Sequence, residues 1–235
     1  MATINPAGVP RPLEQQLRRT LPRGRLRVAR PGGCRDIALY LFDPSVMEGP
    51  LSHEEAQAVV ATPAYWSFCW ASGQVLAQWL LDHPQWVAGR RVLDFGAGSG
   101  VVAIAAALAG ACSVMACDLD PAARLATEAN AALNGVRLEV IEDWRDGGEV
   151  DLLLAADVLY DPENRPLLGQ FRARAREVLL ADSRLSTLGD DHYRSLTRIE
   201  ARTWPDLQEF EAFNQVRLYH AGGGDSGGIK KGGLR

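Results

Sequence analysis

The stretch from Arg91 to Gly100 restricts this chain more than any other. Arg-Val-Leu-Asp-Phe is short, mostly apolar and carries an acid near its end; Gly96, Gly98 and Gly100 then alternate, and Val101 to Ala109 is apolar without a break. Such a run reads as a buried strand, a tight turn and a buried helix, the first half of a nucleotide-binding βαβ unit. Glycines in that turn let a ligand approach the backbone where a Cβ would block it. Val101 occupies the position that the dinucleotide fingerprint reserves for its third glycine, which weakens the case for NAD.

The second half of the unit follows after one helix length. Met115-Ala-Cys-Asp-Leu-Asp120 is an apolar strand running into acid, and Asp118 lies 18 residues beyond Gly100. A ribose-binding carboxylate is expected roughly 20 residues on. Asp94 places a second acid at a strand's carboxyl end, which suits a cationic ligand better than a pyrophosphate.

The rest of the chain continues the alternation. Asp120-Pro121 opens a helix that Asn134-Gly135 stops. Strands are expected at 136–141, 151–156 and 178–181, with a helix at 163–177. Residues beyond 187 should supply a last helix near 188–194 and two closing strands near 199–203 and 216–219. Upstream, residues 1–10 read as disordered. Leu13, Leu17 and Leu21 predict a short amphipathic helix, and the segments flanking Gly32-Gly33 a β-hairpin-like cap. Ser52-x-x-Glu55 reads as a capping box opening a helix to about Val60, and a further helix spans about 73–82. Three regions result: a basic arm and cap over 1–60, a cofactor-binding domain over 61–220, and a disordered tail over 221–235 that holds seven glycines.

Charge and cysteine usage narrow the class. The net charge of −4 combines seven arginines against Glu14 alone in residues 1–30, a local +6, with an acidic remainder. That basic arm is either a solvated extension or a contact for an acidic partner. Cys34, Cys69, Cys112 and Cys117 show no CxxC or metal-ligand spacing, and the four histidines form no HxxxH grouping, so no metal is expected. No secretory signal is recognised, which makes reduced thiols and a cytoplasmic location the expectation. No apolar run approaches the roughly 20 residues of a membrane span.

Four aromatics crowd into Tyr65-Trp-Ser-Phe-Cys-Trp70. One short piece cannot bury all of them, so some should line a pocket, with a hydrophobic plug under the sheet as the other reading.

Val92-Leu-Asp-Phe-Gly-Ala-Gly-Ser-Gly100 with Asp118 resembles the S-adenosylmethionine site of class I methyltransferases. Tyr65 to Gln74, Asp143-Trp144 and Asp157-Val-Leu-Tyr160 are similar to the Asp-x-x-Tyr group of seven-β-strand protein methyltransferases, and most to the electron-transfer flavoprotein β-subunit lysine methyltransferases. The resemblance covers roughly residues 60–182. It implies an α/β fold: a Rossmann-like, seven-stranded, mostly parallel, doubly wound sheet, here with an N-terminal helical and β-hairpin extension. It implies S-adenosylmethionine as cofactor, with Trp70 at its methionine end, Gly96, Ala97, Gly98 and Gly100 beneath it, and Asp94 beside them. Asp118 would take the ribose hydroxyls, and Asp143 and Trp144 would frame the adenine. Asp157 and Tyr160 would stand where the acceptor enters, as the catalytic pair. Val158-Leu159 departs from the Met-Phe pair of those relatives. The implied activity is N-methylation of a protein lysine, on a partner like the flavoprotein β subunit. Two alternatives stay open: an N-methyltransferase acting on a small, nicotinamide-like molecule, and a non-catalytic module that holds the cofactor. A nucleic-acid partner is disfavoured by Asp-Val-Leu-Tyr in place of Asn/Asp-Pro-Pro-Tyr and by the acidic body.

Overall fold

The computed structural model describes residues 4–5, 8–46, 63–185, 187–207 and 209–222. Helix α1 (Arg11–Thr20), strands β1 (Leu26–Ala29) and β2 (Leu39–Phe42), and helix α2 (Ala71–Asp82) precede the central alternation. That alternation runs β3 (Arg91–Phe95), α3 (Val101–Leu108), β4 (Ser113–Cys117), α4 (Pro121–Leu133), β5 (Glu139–Ile141), β6 (Val150–Ala156), α5 (Leu167–Arg174) and β7 (Ala175–Asp182). Strands β8 (Arg194–Glu200) and β9 (Gln215–Gly222) complete it.

Seven strands form one sheet in the order β5-β4-β3-β6-β7-β9-β8. The first five are parallel, and β9 runs antiparallel to both β7 and β8. This is the mostly parallel α/β sheet expected from the sequence. The chain moves from β3 outward to β5, then crosses to β6 and β7 on the other side. The switch therefore falls between β3 and β6, and open α/β sheets bind ligands at the carboxyl ends of the strands flanking it.

Burial follows the pattern of the residues. Leu152, Leu153, Leu154 and Ala155 of β6 are fully buried because a parallel sheet is covered on both faces. Helix α3 is buried along Val101 to Ala106, packing on α2 as well as on β3 and β4, and so is apolar all round. Helix α4 starts on Asp120, whose Oδ1 accepts the Ala122 amide at 2.8 Å, with Pro121 as its first residue.

The amino-terminal cap is packed, not free. Leu13 and Leu17 of α1 join Leu26, Tyr40 and Phe42 against Ala123 and Ala126 of α4 and against Trp66. Asn130 Oδ1 accepts the Tyr40 amide at 2.7 Å, and Asn134 both accepts from the Ala38 amide at 2.9 Å and donates to its carbonyl at 2.6 Å. Residues 1–10 were expected to be disordered, yet among those described Ile4 bridges Pro10 and Val9 is fully buried.

Several boundaries differ from expectation downstream. The helix expected over 163–177 is a 3-10 turn at Pro162–Asn164 followed by α5, because parallel pairing of Val150 with Ala175 and of Leu152 with Glu177 draws 175–177 into β7. The strand expected over 136–141 shortens to Glu139–Ile141. No last helix forms among the described residues of 188–194; that segment is pinned by the Tyr193 hydroxyl, which donates to the Leu168 carbonyl at 2.8 Å. Ala221 and Gly222, read as the start of the tail, close β9 through pairing with Val178 and Glu177. The helix expected from Ser52, the domain boundary near 60 and the tail beyond 222 lie outside the described residues. No helix among the described residues is long and apolar enough to cross a membrane.

Candidate active site

The turn after β3 is shaped by left-handed backbone at Gly96, Gly98 and Gly100, with φ of 71°, 54° and 78°. A Cβ at Gly100 would stand 3.0 Å from Thr127 Cγ2 and 3.1 Å from its Cα, so α4 leaves no room there. A Cβ at Gly98 would meet nothing closer than the Gly96 carbonyl at 3.9 Å, so the surface above Gly98 is an open cradle. Helix α4 also holds the turn's carbonyls: Thr127 Oγ1 donates to Gly98 O at 3.2 Å and Asn130 Nδ2 to Ser99 O at 2.8 Å. Neither residue stood out in the sequence, because polar side chains in an alanine-rich helix read as its solvated face.

Strand β4 closes the turn from the other side. The amides of Gly96 and Ala97 both donate to Cys117 O at 2.9 Å, and the Ala97 side chain is buried. Asp118 Oδ2 accepts the Gly98 amide at 2.9 Å, and its Oδ1 accepts the Asp120 amide at 3.0 Å. Asp94 is only 2% exposed, and its Oδ2 accepts the Ala103 amide in the first turn of α3 at 3.0 Å. Burial pushes Asp94 up to about 7 against the pull of that amide, with the charge of Asp118 adding to the rise. Burial raises Asp118 as well, its two backbone donors opposing. An open cradle bordered by two poorly solvated acids fits a ligand with both hydroxyls and positive charge. S-adenosylmethionine has both, and Gly96 to Gly100, Asp94 and Asp118 would hold it.

Asp143 and Trp144 follow β5 at the same edge. The Arg145 guanidinium donates to Asp143 at 2.8 Å and keeps its carboxyl down at about 2. The half-buried Trp144 ring packs edge-on against Phe95, the last residue of β3, at 5.6 Å and against Phe171 at 5.9 Å.

The Asp-x-x-Tyr segment leaves β6 through a left-handed residue, Asp157, with φ of 52°. Aspartate tolerates that conformation better than most side chains. Its carboxylate accepts from Ser72 Oγ at 2.6 Å, Ser183 Oγ at 2.8 Å, the Ser183 amide at 3.1 Å and the Ser72 amide at 3.2 Å. Asp157 thus joins the first turn of α2 to the ends of β6 and β7. Val158 packs over the glycine turn, its Cγ1 only 2.9 Å from where a Cβ at Gly96 would be. Neither serine was identified from sequence, since both partners are distant in the chain.

Beyond it stands a ladder of rings. Tyr160 is 59% exposed, with its centroid 6.3 Å from that of Tyr65, itself 50% exposed. Tyr65 meets Trp70 edge-on at 5.7 Å, Trp70 meets Phe68 at 5.9 Å, and Phe68 meets Phe42 of β2 at 5.8 Å. Trp70 precedes α2, and its Nε1 donates to Tyr65 O at 3.0 Å. The aromatic segment is therefore divided: Trp66 is core at 2% exposure, while Tyr65 opens outward. Asp94, the glycine turn, Asp118 and Asp157 share the carboxyl edge of the parallel strands, and the ladder carries Trp70 to Tyr160. No group of three or more His, Cys, Asp or Glu side chains among the described residues is placed to hold a metal.

Comparison with known proteins agrees with this architecture. Residues 77–162 match the family model of ribosomal protein L11 methyltransferase. A solved ribosomal protein L11 methylase from Lactobacillus delbrueckii subsp. bulgaricus shares the fold, with a TM-score of 0.50 and 24% identity over 64% of this chain and 78% of that one. The electron transfer flavoprotein beta subunit lysine methyltransferase of Xenopus laevis is 39% identical over 127 residues, 50% of this chain and about half (52%) of that protein. Its counterpart in Danio rerio is 39% identical over 188 residues, 76% of this chain and 72% of that protein. The chain accordingly belongs to the electron transfer flavoprotein beta subunit lysine methyltransferase family, and is an S-adenosylmethionine-dependent methyltransferase.

Proposed function

We propose that this chain methylates a lysine side chain of a protein acceptor, the β subunit of electron transfer flavoprotein. The observation that carries the reading is the placement of two half-exposed rings, Tyr65 and Tyr160, beyond a fixed carboxylate at the edge that bears the glycine turn.

When bound, the cofactor supplies a methyl carbon on a positively charged sulfur, so transfer is an in-line displacement that needs no nucleophile from the protein. What the chain contributes is position. Gly96 to Gly100, Asp94 and Asp118 hold one reactant, and Asp157 with the aromatic ladder aims the other. Such orientation is worth up to roughly 7–11 kcal/mol in well-aligned systems. Asp157 is held in place by Ser72 and Ser183, and its Oδ2, which takes the Ser72 amide, has capacity to accept an N–H of the acceptor. A lysine amine, ordinarily near 10.4, has to release its proton to solvent before it attacks.

The exposure of Tyr65 and Tyr160 at this edge favours a protein acceptor over a nicotinamide-like molecule, because small ligands are usually enclosed over about 70–90% of their surface. No role for nucleic acid or membrane enters this reading. We place the protein in a reducing compartment, the cytoplasm, with its four cysteines as free thiols in support.

The test is incubation of purified protein with labelled S-adenosylmethionine and, in separate reactions, purified flavoprotein β subunit and a demethylated host lysate, the modified residue being mapped by mass spectrometry. Label on a β-subunit lysine is the expected result. Label on other lysate proteins but not on this subunit would overturn the acceptor, and label on no lysine at all would overturn the lysine reading.

A further inference from the structure

We infer that Tyr65 is a specificity-determining residue: with Tyr160 it walls a slot that grips the acceptor's lysine side chain. The inference rests on the lysine reading above and adds a residue that neither the Asp-x-x-Tyr segment nor the glycine turn contains.

Tyr65 and Tyr160 are 50% and 59% exposed, whereas Trp66, adjacent to Tyr65 in the chain, is buried at 2%. The core therefore does not need either ring, and two large aromatics side by side at a surface mark a place where something else is covered. Their backbones are nevertheless fixed. Tyr65 sits in a 3-10 turn whose carbonyl accepts both the Phe68 amide at 3.2 Å and Trp70 Nε1 at 3.0 Å. Tyr160 lies between the Asp157 joint and Asn164, whose Nδ2 donates to Val158 O at 2.9 Å. Rigid supports under exposed rings lower the ordering cost of binding.

Geometry then selects the occupant. The centroids are 6.3 Å apart and the planes inclined at 56°, so the rings form an open V. A cation within about 6 Å of a ring centroid is attracted by the electron-rich face. A slim alkyl chain ending in an ammonium matches an aromatic V better than a flat heteroaromatic would. That match does not depend on N–H groups, so it survives as methyl groups replace hydrogens on nitrogen.

The test uses the full chain, the flavoprotein β subunit and the variants Tyr65→Ala and Tyr65→Phe. Tyr65→Ala should raise the KM for the β subunit about tenfold, with kcat changed less than about threefold. Thermal midpoint and calorimetric affinity for S-adenosylmethionine should stay at wild-type values, and Tyr65→Phe should return KM to within about twofold. A Tyr65→Ala variant with wild-type KM on an active enzyme would overturn the slot while leaving the lysine reading standing. So would a KM rise matched by an equal loss of cofactor affinity. If the wild type binds cofactor but does not modify the β subunit, the lysine reading fails separately, and the slot is then decided by NMR titration with N-acetyl-trimethyllysine amide. Binding that Tyr65→Ala weakens supports the slot; no binding, or binding indifferent to the substitution, overturns it.

Discussion

Ser72 Oγ donates a 2.6 Å hydrogen bond to Asp157 across 85 residues of sequence, and the same carboxylate oxygen receives Ser183 Oγ at 2.8 Å. One acid thereby ties the start of α2 to the ends of β6 and β7, next to the glycine turn. Asp157→Ala would strand these donors and force a left-handed alanine. Hydrogen bonds to a charged group are worth about 1.5–3 kcal/mol, and the backbone term adds about 1–2. Asp157→Asn keeps both an acceptor oxygen and a side chain that tolerates positive φ. We expect Asp157→Asn to fold with a thermal midpoint within a few degrees of wild type, to bind cofactor within about threefold, and to lose transfer by about 100-fold or more. Thermal melts, calorimetry and a transfer assay check the three parts. Full transfer by Asp157→Asn would reduce the acid to a fold element.

Asp94 provides a pH test. Its carboxyl is raised by burial from the ordinary aspartate value to about 7. A raised acid means that the folded state binds the proton more tightly, so stability falls as pH climbs from about 4 to about 7 and levels off above. The gap corresponds to at most about 4 kcal/mol. Asp94→Asn retains an acceptor for the Ala103 amide and should flatten that part of the stability profile, leaving the variant more stable than wild type at pH 8. Cofactor binding should move the other way. Affinity for S-adenosylmethionine should strengthen from pH 6 to pH 8 as the acid ionises, and less so for the demethylated product, whose sulfur is uncharged. Denaturant melts and calorimetry across that range check both trends.

The central unit was legible because its signals are local. Alternating glycines between two apolar runs, an acid at each strand end and Asp120-Pro121 before a helix each act within a few residues. The places where the reading failed depend on partners far along the chain. Ala175, Arg176 and Glu177 look helical after Phe171 and become strand only because β6 offers its edge. Ser72 and Ser183 gain meaning only when Asp157 lies between them. Thr127 and Asn130 look like solvent-facing residues of an alanine-rich helix until the glycine turn packs on them. The aromatic segment announced a pocket but not its division, since which of Tyr65 and Trp66 faces the cap core follows from the phase of one 3-10 turn.

Gly98 and Gly100 should separate cofactor binding from folding. Both have positive φ, so alanine at either costs about 1–2 kcal/mol of backbone strain. At Gly100 the added methyl also meets the Thr127 backbone at 3.1 Å, which cannot swing aside. Gly100→Ala should therefore lower the thermal midpoint by about 6 °C or more, taking about 2–4 °C per kcal/mol for a chain of this size. Gly98→Ala places its methyl in the open cradle, so the midpoint should fall by the backbone strain alone, about 2–8 °C and by less than in Gly100→Ala, while cofactor affinity weakens at least tenfold. Equal melting losses, or unchanged affinity in Gly98→Ala, would contradict the assignment of that cradle.

Trp144 joins packing and ligand contact in one ring, and two substitutions distinguish them. Its ring wedges against Phe95 and Phe171 while remaining only partly buried, so Trp144→Ala should cost about 2 kcal/mol, below the 3–5 kcal/mol of a fully buried aromatic. Trp144→Leu fills most of the wedge and should recover more than half of that loss. A leucine offers no flat face for a purine, however, and an aromatic contact is worth about 0.5–1.5 kcal/mol beyond buried area. Trp144→Leu should then bind S-adenosylmethionine several-fold more weakly than Trp144→Phe despite similar melting, as read by calorimetry at one temperature. Matching affinities in the leucine and phenylalanine variants would confine Trp144 to the core beneath the turn and leave the adenine to other residues at the end of β5.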